Sequence, residues 1–158
     1  MRLAVDVMGG DHAPDAILRG CVDALPDLGA SDELVLVGPR EVIEDYLRER
    51  RVNDARVLIE HASEVIAMDD PPAMAVRTKR DSSIVRMSQL GSHKVERPCD
   101  AVLSAGNTGA CVAAAIMHMK RLPHVHRPGI AVTIPAFHGP LVLCDAGVHA
   151  REHGEALD

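Results

Sequence analysis

The stretch Asp100-Ala-Val-Leu-Ser-Ala-Gly-Asn-Thr-Gly-Ala-Cys-Val-Ala-Ala-Ala115 joins a short apolar run to an alanine-rich segment through a small polar loop. The pattern predicts a strand, a loop and a helix in direct succession. The first N–H groups of a helix have no acceptor inside the helix and lie at the positive end of its dipole, so they attract anions. Gly106 and Gly109 would let the backbone approach such an anion closely. Asn107 and Thr108 would add polar side-chain atoms. An ordinary strand-to-helix connection, in which Thr108 caps the helix and Gly109 serves packing, explains the same residues.

The composition is that of one globular domain. Of 158 residues, 47% are hydrophobic and 25% are charged, which is ordinary usage for a folded domain, and we predict a single α/β domain over residues 1–158. The formal net charge is -6, and Tyr46 and Phe137 are the only aromatic residues apart from histidine. Because base stacking and a positive field are both lacking, we expect no nucleic-acid partner.

Cysteine and histidine spacing favours neither metal binding nor disulfides. The four cysteines, Cys21, Cys99, Cys111 and Cys144, include no CxxC pair, and the nine histidines form no HExxH motif. No GxGxxG or GxxxxGK[ST] sequence occurs, so a standard dinucleotide or ATP site is poorly supported, and we expect no cofactor and no metal. The apolar run at the N-terminus, about five residues, is too short for a signal sequence or a membrane span, so we expect a cytoplasmic protein.

Apolar runs typical of buried strands alternate with helical repeats along the chain. The further runs are residues 3–7, 33–38, 56–60, 130–134 and 141–144. Nearly continuous apolar runs that alternate with helices predict a parallel sheet covered by helices on both faces. Right-handed crossovers then bring the loops that follow the strands to one edge of the sheet, where ligands bind in this fold class.

Three loops that follow these runs carry glycine or acidic residues. They are residues 6–12, 104–109 and 145–147, and a parallel sheet would bring them together. Asp11 and His12 fit either a capped turn or a catalytic wall. Ser104 lies outside a GxSxG motif, which is evidence against a serine hydrolase. The basic stretch 77–80 precedes Ser82 and Ser83, and fits either a solvated face or a phosphate clamp.

Four motifs, taken together and in order, resemble the bacterial phosphate acyltransferases of phospholipid synthesis, the PlsX family. The motifs lie at residues 1–14, 61–71, 75–83 and 104–110. The resemblance implies a Rossmann-like three-layer α/β/α fold with a mostly parallel sheet, related to phosphotransacetylases. It also implies transfer of a fatty acyl group from an acyl carrier protein thioester to inorganic phosphate, yielding acyl phosphate. A homodimer is implied as well, with peripheral membrane association through a further half of the fold.

Acyl transfer from a thioester to phosphate requires no catalytic triad, because phosphate is already anionic and a thiol of pKa about 8.5 leaves readily as thiolate. Positioning and charge stabilisation should therefore dominate. From the resemblance, we expect catalytic roles for Asn107, Lys79, Asp11 and His12. We expect the substrate and phosphate to be bound by Gly9, Gly10, Arg77, Ser82, Ser83, Ser104, Gly106, Thr108, Gly109 and Asp145.

The end of the chain departs from the family pattern. The loop at residue 145 normally reads Asp-x-Gly-Ala-Asn, whereas here Asp145-Ala-Gly147 continues as Val148-His149, and family members are much longer than 158 residues. We therefore expect the N-terminal portion of a longer fold, truncated, frameshifted or excised, whose own activity is open. The alternatives are a phosphotransacetylase-like enzyme acting on coenzyme A thioesters and a non-catalytic phosphate-binding or dimerisation fragment. A nicotinamide oxidoreductase is third, weakened by the missing fingerprint.

Overall fold

A computed structural model of the protein describes residues 1–125 and 128–144. The chain divides into two compact units, Met1–Lys120 and Arg121–Asp158, and the second is described as far as residue 144, apart from residues 126–127. The first unit holds the parallel sheet and the helices.

Four parallel strands form the sheet of the first unit. They are β1 (Arg2–Asp6), β2 (Glu33–Gly38), β3 (Val57–His61) and β4 (Ala101–Leu103), and they are arranged in the order β3-β2-β1-β4. In the register of the sheet, Ala4 of β1 pairs with Val35 of β2 on one side and with Val102 of β4 on the other. The predicted parallel sheet is confirmed.

Five helices surround this sheet. They are α1 (Asp15–Asp23), α2 (Arg40–Glu49), α3 (Pro72–Thr78), α4 (Ser83–Leu90) and α5 (Thr108–His118), with a 3-10 turn at Leu25–Asp27. Helix α3 begins with Pro72, and proline is well suited to the first position of a helix because its missing N–H needs no partner there. None of the helices in the described ranges has the length and apolar character needed to cross a membrane.

Alternate side chains of the strands enter two separate cores. On one face, Val5 and Leu36 pack with Leu18 of α1 and Ile43 of α2. On the other face, the cluster contains Ala4, Val35, Val37, Ala62, Met87 and Cys99, so α4 covers the sheet there. Because β1 and β2 are buried on both faces, they read as continuous apolar runs. The result is the predicted three-layer α/β/α arrangement.

The strand order reverses at β1. The chain proceeds from β1 to β2 and β3 on one side of β1, then returns to place β4 on the other side. The carboxyl ends of β1 and β4 therefore lie side by side at a switch point, which we call the crevice, and the two following loops meet there before they continue to α1 and α5. In open α/β sheets such a switch point is the usual ligand site.

The last two strands differ from expectation. Strands β5 (Ala131–Ala136) and β6 (Gly139–Cys144) pair antiparallel, with Thr133 opposite Val142, instead of adding parallel strands. Only residues 137 and 138 separate them. A connection of that length permits a hairpin, whereas a parallel pair needs a crossover of a dozen or more residues. The prolines at 135 and 140 lie within these strands and not in a longer loop.

The core contacts generate a stability prediction. Ile43 of α2 is fully buried, whereas its neighbour Val42 on the same helix is 38% exposed. We expect Ile43→Ala to lower the free energy of unfolding by about 2–5 kcal/mol, through lost burial and a residual cavity. The matched change Val42→Ala should cost about 0.5 kcal/mol or less. Urea denaturation followed by circular dichroism measures both, and equal losses would contradict the assignment of this core.

Candidate functional site

A short chain of hydrogen bonds joins the ends of β1 and β4. The Ser104 hydroxyl donates to Oδ2 of Asp6 at 2.7 Å and accepts from the Gly106 N–H at 3.0 Å. Asp6 is 1% exposed, and its Oδ1 accepts from the Met8 N–H at 2.9 Å. A buried carboxylate is costly unless it is hydrogen-bonded, so these contacts fix the two loops against each other.

The glycines of the first loop are required by close packing and backbone conformation. A Cβ atom on Gly9 would lie 2.7 Å from the Gly106 nitrogen and 2.8 Å from the Ser104 hydroxyl oxygen. Gly10 has φ +110°, in the left-handed region that side chains disfavour, and faces Ala105. The predicted glycine loops after β1 and β4 are therefore in direct contact.

Helix α5 begins at this junction. Asn107 is the N-cap, and its Oδ1 accepts from the Ala110 N–H at 3.0 Å, so Asn107 performs the capping that the simpler interpretation had given to Thr108. The N–H groups of Thr108 and Gly109 have no acceptor among the described residues. Exposed Thr108 and Gly109 therefore present two free donors at the positive end of an 11-residue helix.

The amide nitrogen of Asn107 binds a second loop. Its Nδ2 donates to the carbonyl oxygens of Ala67, Met68 and Asp70 at 3.1, 3.3 and 3.2 Å. Asn107 is 5% exposed. Because both polar atoms of its side chain already have protein partners, the geometry favours a positioning role for Asn107 over direct contact with a substrate.

Lys79 is tied to the same loop. Its ammonium group forms an ion pair with Asp70 and donates to the Val65 carbonyl at 3.0 Å. The hydrogen bond from Lys79, together with one from the Ala67 N–H, lowers the pKa of the Asp70 carboxyl below its ordinary value. The ion pair and the Asn107 contacts thus hold one loop from two directions.

The start of α4 also approaches the junction. A Cβ atom on Gly106 would lie 3.4 Å from Cδ1 of Ile84, in the first turn of α4. Ser82 and Ser83, which precede and open that turn, are 0% and 1% exposed. Within the described part of the chain, the Ser82 hydroxyl oxygen has no hydrogen-bond partner.

The structure brings most of the predicted site residues to this crevice. The residues that meet there are Gly9, Gly10, Ser104, Gly106, Asn107, Thr108 and Gly109, with Ser82 and Ser83 beside them. Asp11 and His12 are exposed and continue the first loop. Lys79 reaches the site through Asp70, whereas Arg77 is exposed on the last turn of α3. Asp145 lies outside the described residues. The functional role of each residue remains a prediction.

Three contributors escaped the sequence analysis as site residues. Asp6 is a charged residue at the end of an apolar strand, and this pattern could have identified it as a site residue. Asp70 lies within the motif at residues 61–71 but was given no role of its own. Cys111 lies beside Ser104 in the first turns of α5; burial raises the pKa of its thiol, although a hydrogen bond with Ser104 opposes the rise.

The fold and the crevice define a class: a three-layer α/β protein with glycine loops and a helix start at the switch point of a parallel sheet. The chain belongs to the family described as fatty acid synthesis protein, whose model matches residues 1–157.

Individual relatives carry a more specific name. A phosphate acyltransferase of Desulfitobacterium hafniense (strain DSM 10664 / DCB-2) is 42% identical over 157 residues, 99% of this chain and 45% of the relative. One of Thermoanaerobacter pseudethanolicus is 44% identical over 148 residues, covering 93% and 42%. One of Clostridium perfringens (strain SM101 / Type A) is 38% identical over 149 residues, covering 94% and 43%. The chain therefore spans less than half the length of these relatives.

The contact between the loops predicts a specific glycine requirement. Gly9→Ala would push a methyl group into Gly106 and Ser104, so we expect a loss of about 1–3 kcal/mol in the free energy of unfolding. Gly20→Ala is the matched control, because nothing lies within 4 Å of its added Cβ. Within helix α1 that change should stabilise by about 0.5–1 kcal/mol. Denaturant titrations that gave both variants the same sign would refute the loop contact.

Proposed function

We propose that this protein carries the phosphate-binding site of an acyltransferase and moves a fatty acyl group from a thioester to inorganic phosphate. The family description and the name shared by the relatives support an acyltransferase role in fatty acid and phospholipid synthesis. The observation that carries the proposal is the pair of free N–H groups at Thr108 and Gly109, framed by two glycine loops at the switch point.

In the proposed reaction, a phosphate oxygen attacks the carbonyl carbon of the thioester. A carbon–oxygen bond forms, and the carbonyl electron pair moves to oxygen to give a tetrahedral oxyanion. The carbon–sulfur bond then breaks, the sulfur leaves as thiolate, and acyl phosphate is released. Free helix N–H groups stabilise either the phosphate or the oxyanion, and they need no reorganisation because the fold has already fixed them.

The remaining site residues complete this proposal. Arg77 and Lys79 supply positive charge, and Asn107 positions the loop that holds Asp70 and, through it, Lys79. Asp11 and His12 order the opposite wall. The two serines at the start of α4 are buried polar groups next to Ile84, which lies beside Gly106.

We further propose acyl carrier protein as the acyl donor and a homodimer as the working assembly. We also propose that the enzyme is cytoplasmic and associates with the membrane surface, where acyl phosphate is used in phospholipid synthesis. A coenzyme A thioester is the competing donor.

An acyl-phosphate assay with defined acyl donors tests the proposed function. The full chain is mixed with inorganic phosphate and a fatty acyl thioester of either acyl carrier protein or coenzyme A, and acyl phosphate is trapped as hydroxamate. We expect a product that requires phosphate, formed faster from the carrier-protein thioester. Lys79→Ala should lower kcat/KM about 10- to 100-fold, the value of a hydrogen bond to a charged group.

Lys94→Ala is the control, because Lys94 is an exposed lysine in the segment after α4. It should leave kcat/KM unchanged. Thermal unfolding of each variant separates lost chemistry from lost folding. Absence of acyl phosphate with both donors at saturating phosphate, from a folded chain that binds phosphate, would leave a binding fragment and contradict the enzymatic proposal.

A further inference from the structure

A second cleft opens beside the first glycine loop. It has a volume of about 430 Å³ and lies between the start of α1 and the end of α2. Its lining residues are His12, Ala13, Asp15, Ala16, Arg19 and Arg50. The cleft shares His12 with the candidate site, but that site makes no use of Arg19 or Arg50.

The cleft concentrates basic groups on an acidic protein. The formal net charge of the chain is -6, yet His12, Arg19 and Arg50 face one acid here, Asp15. Several other arginines of the first unit are paired with carboxylates, as Arg48 is with Asp45 at 2.8 Å and Arg56 with Asp54 at 2.7 Å. In the described part of the chain, neither Arg19 nor Arg50 forms an ion pair with a carboxylate.

Arg50 is also held in place. Its guanidinium carbon lies 5.2 Å from the centre of the Tyr46 ring, within the range of a cation–π contact. This contact restrains the side chain without neutralising its charge. A guanidinium group offers a planar fork of donors that matches a phosphate group, so a restrained and unpaired arginine beside a second one is suited to a phosphate ester.

The cleft is continuous with the candidate site along the chain. His12 lines the cleft and lies two residues beyond Gly10, in the loop whose Gly9 touches Gly106. A ligand anchored by Arg19 and Arg50 would therefore have the first glycine loop between its anchor and the free N–H groups of α5. A long, flexible substrate with a charged group far from its reacting end fits this arrangement.

We propose that the cleft of His12, Arg19 and Arg50 binds the phosphate of the phosphopantetheine arm that carries the acyl thioester. This inference rests on the proposed function, because that function requires a thioester donor. The same arm, with its phosphate at the end opposite the sulfur, occurs in coenzyme A and in carrier-protein thioesters. The cleft therefore recognises the chemistry shared by both donors, and it leaves the inorganic phosphate to the start of α5.

The test is calorimetric titration of the full chain with 4′-phosphopantetheine and with pantetheine, which lacks the phosphate. Inorganic phosphate is omitted, because it would compete with the phosphate ester for Arg19 and Arg50, and the arginine variants distinguish binding at the cleft from binding at the start of α5. We expect phosphopantetheine to bind at least about tenfold more tightly, the loss that follows from removing about one charged hydrogen bond. Arg19→Gln and Arg50→Gln should each erase most of this difference and leave pantetheine binding unchanged.

Arg48→Gln is the matched control on α2, because Arg48 is already paired with Asp45. It should retain the full preference for phosphopantetheine. Coenzyme A and a carrier protein bearing the arm form two further titrations, and a loss in both on Arg19→Gln identifies the shared group. Loss with one donor alone would assign the cleft to another part of that donor and overturn the proposal.

Equal affinity for the two arms, or a preference that survives both arginine substitutions, would also overturn it. Failure here is distinguishable from failure of the proposed function. If acyl phosphate forms but the arginines do not matter, the cleft inference falls and the function stands. If the arm binds through its phosphate but no thioester yields acyl phosphate, the function fails and the cleft inference stands.

Discussion

The buried contact between Asp6, Ser104 and Gly106 is the constraint on which the rest of the site depends. It joins the ends of two strands that are neighbours in the sheet but about a hundred residues apart in the chain. Gly9 allows the backbones to meet, since any side chain there would enter the space of Gly106. With the two loops fixed in this way, the start of α5 faces the loop after β1.

A second layer of contacts holds the residues around this junction. The side-chain oxygen of Asn107 caps the start of α5. The nitrogen of the same amide donates to three carbonyl oxygens of the loop at residues 67–70, before α3. Asp70 in that loop holds Lys79. One side chain therefore couples the start of α5 to the loop that is paired with Lys79. Through this coupling, Asn107 can position the loop without touching a ligand.

Local patterns predicted the central strands well, because β1 and β2 are largely buried and therefore read as apolar runs. The strand at Glu33–Gly38 was predicted with its observed bounds. What depends on contacts distant in sequence was not predicted. The partners of Asp6 and the triple contact of Asn107 are set by tertiary structure, and the antiparallel β5 and β6 by the length of their turn. Similar apolar runs do not reveal strand direction.

The central claim is that the junction of β1 and β4 makes the start of α5 an anion site. Titration of the ¹⁵N-labelled chain with inorganic phosphate, followed by nuclear magnetic resonance, tests it most directly. The account predicts saturable shifts that are largest at the N–H groups of Thr108 and Gly109, and their loss when Ser104 is changed to Ala. Shifts confined to residues elsewhere, or none at saturating phosphate, would contradict it.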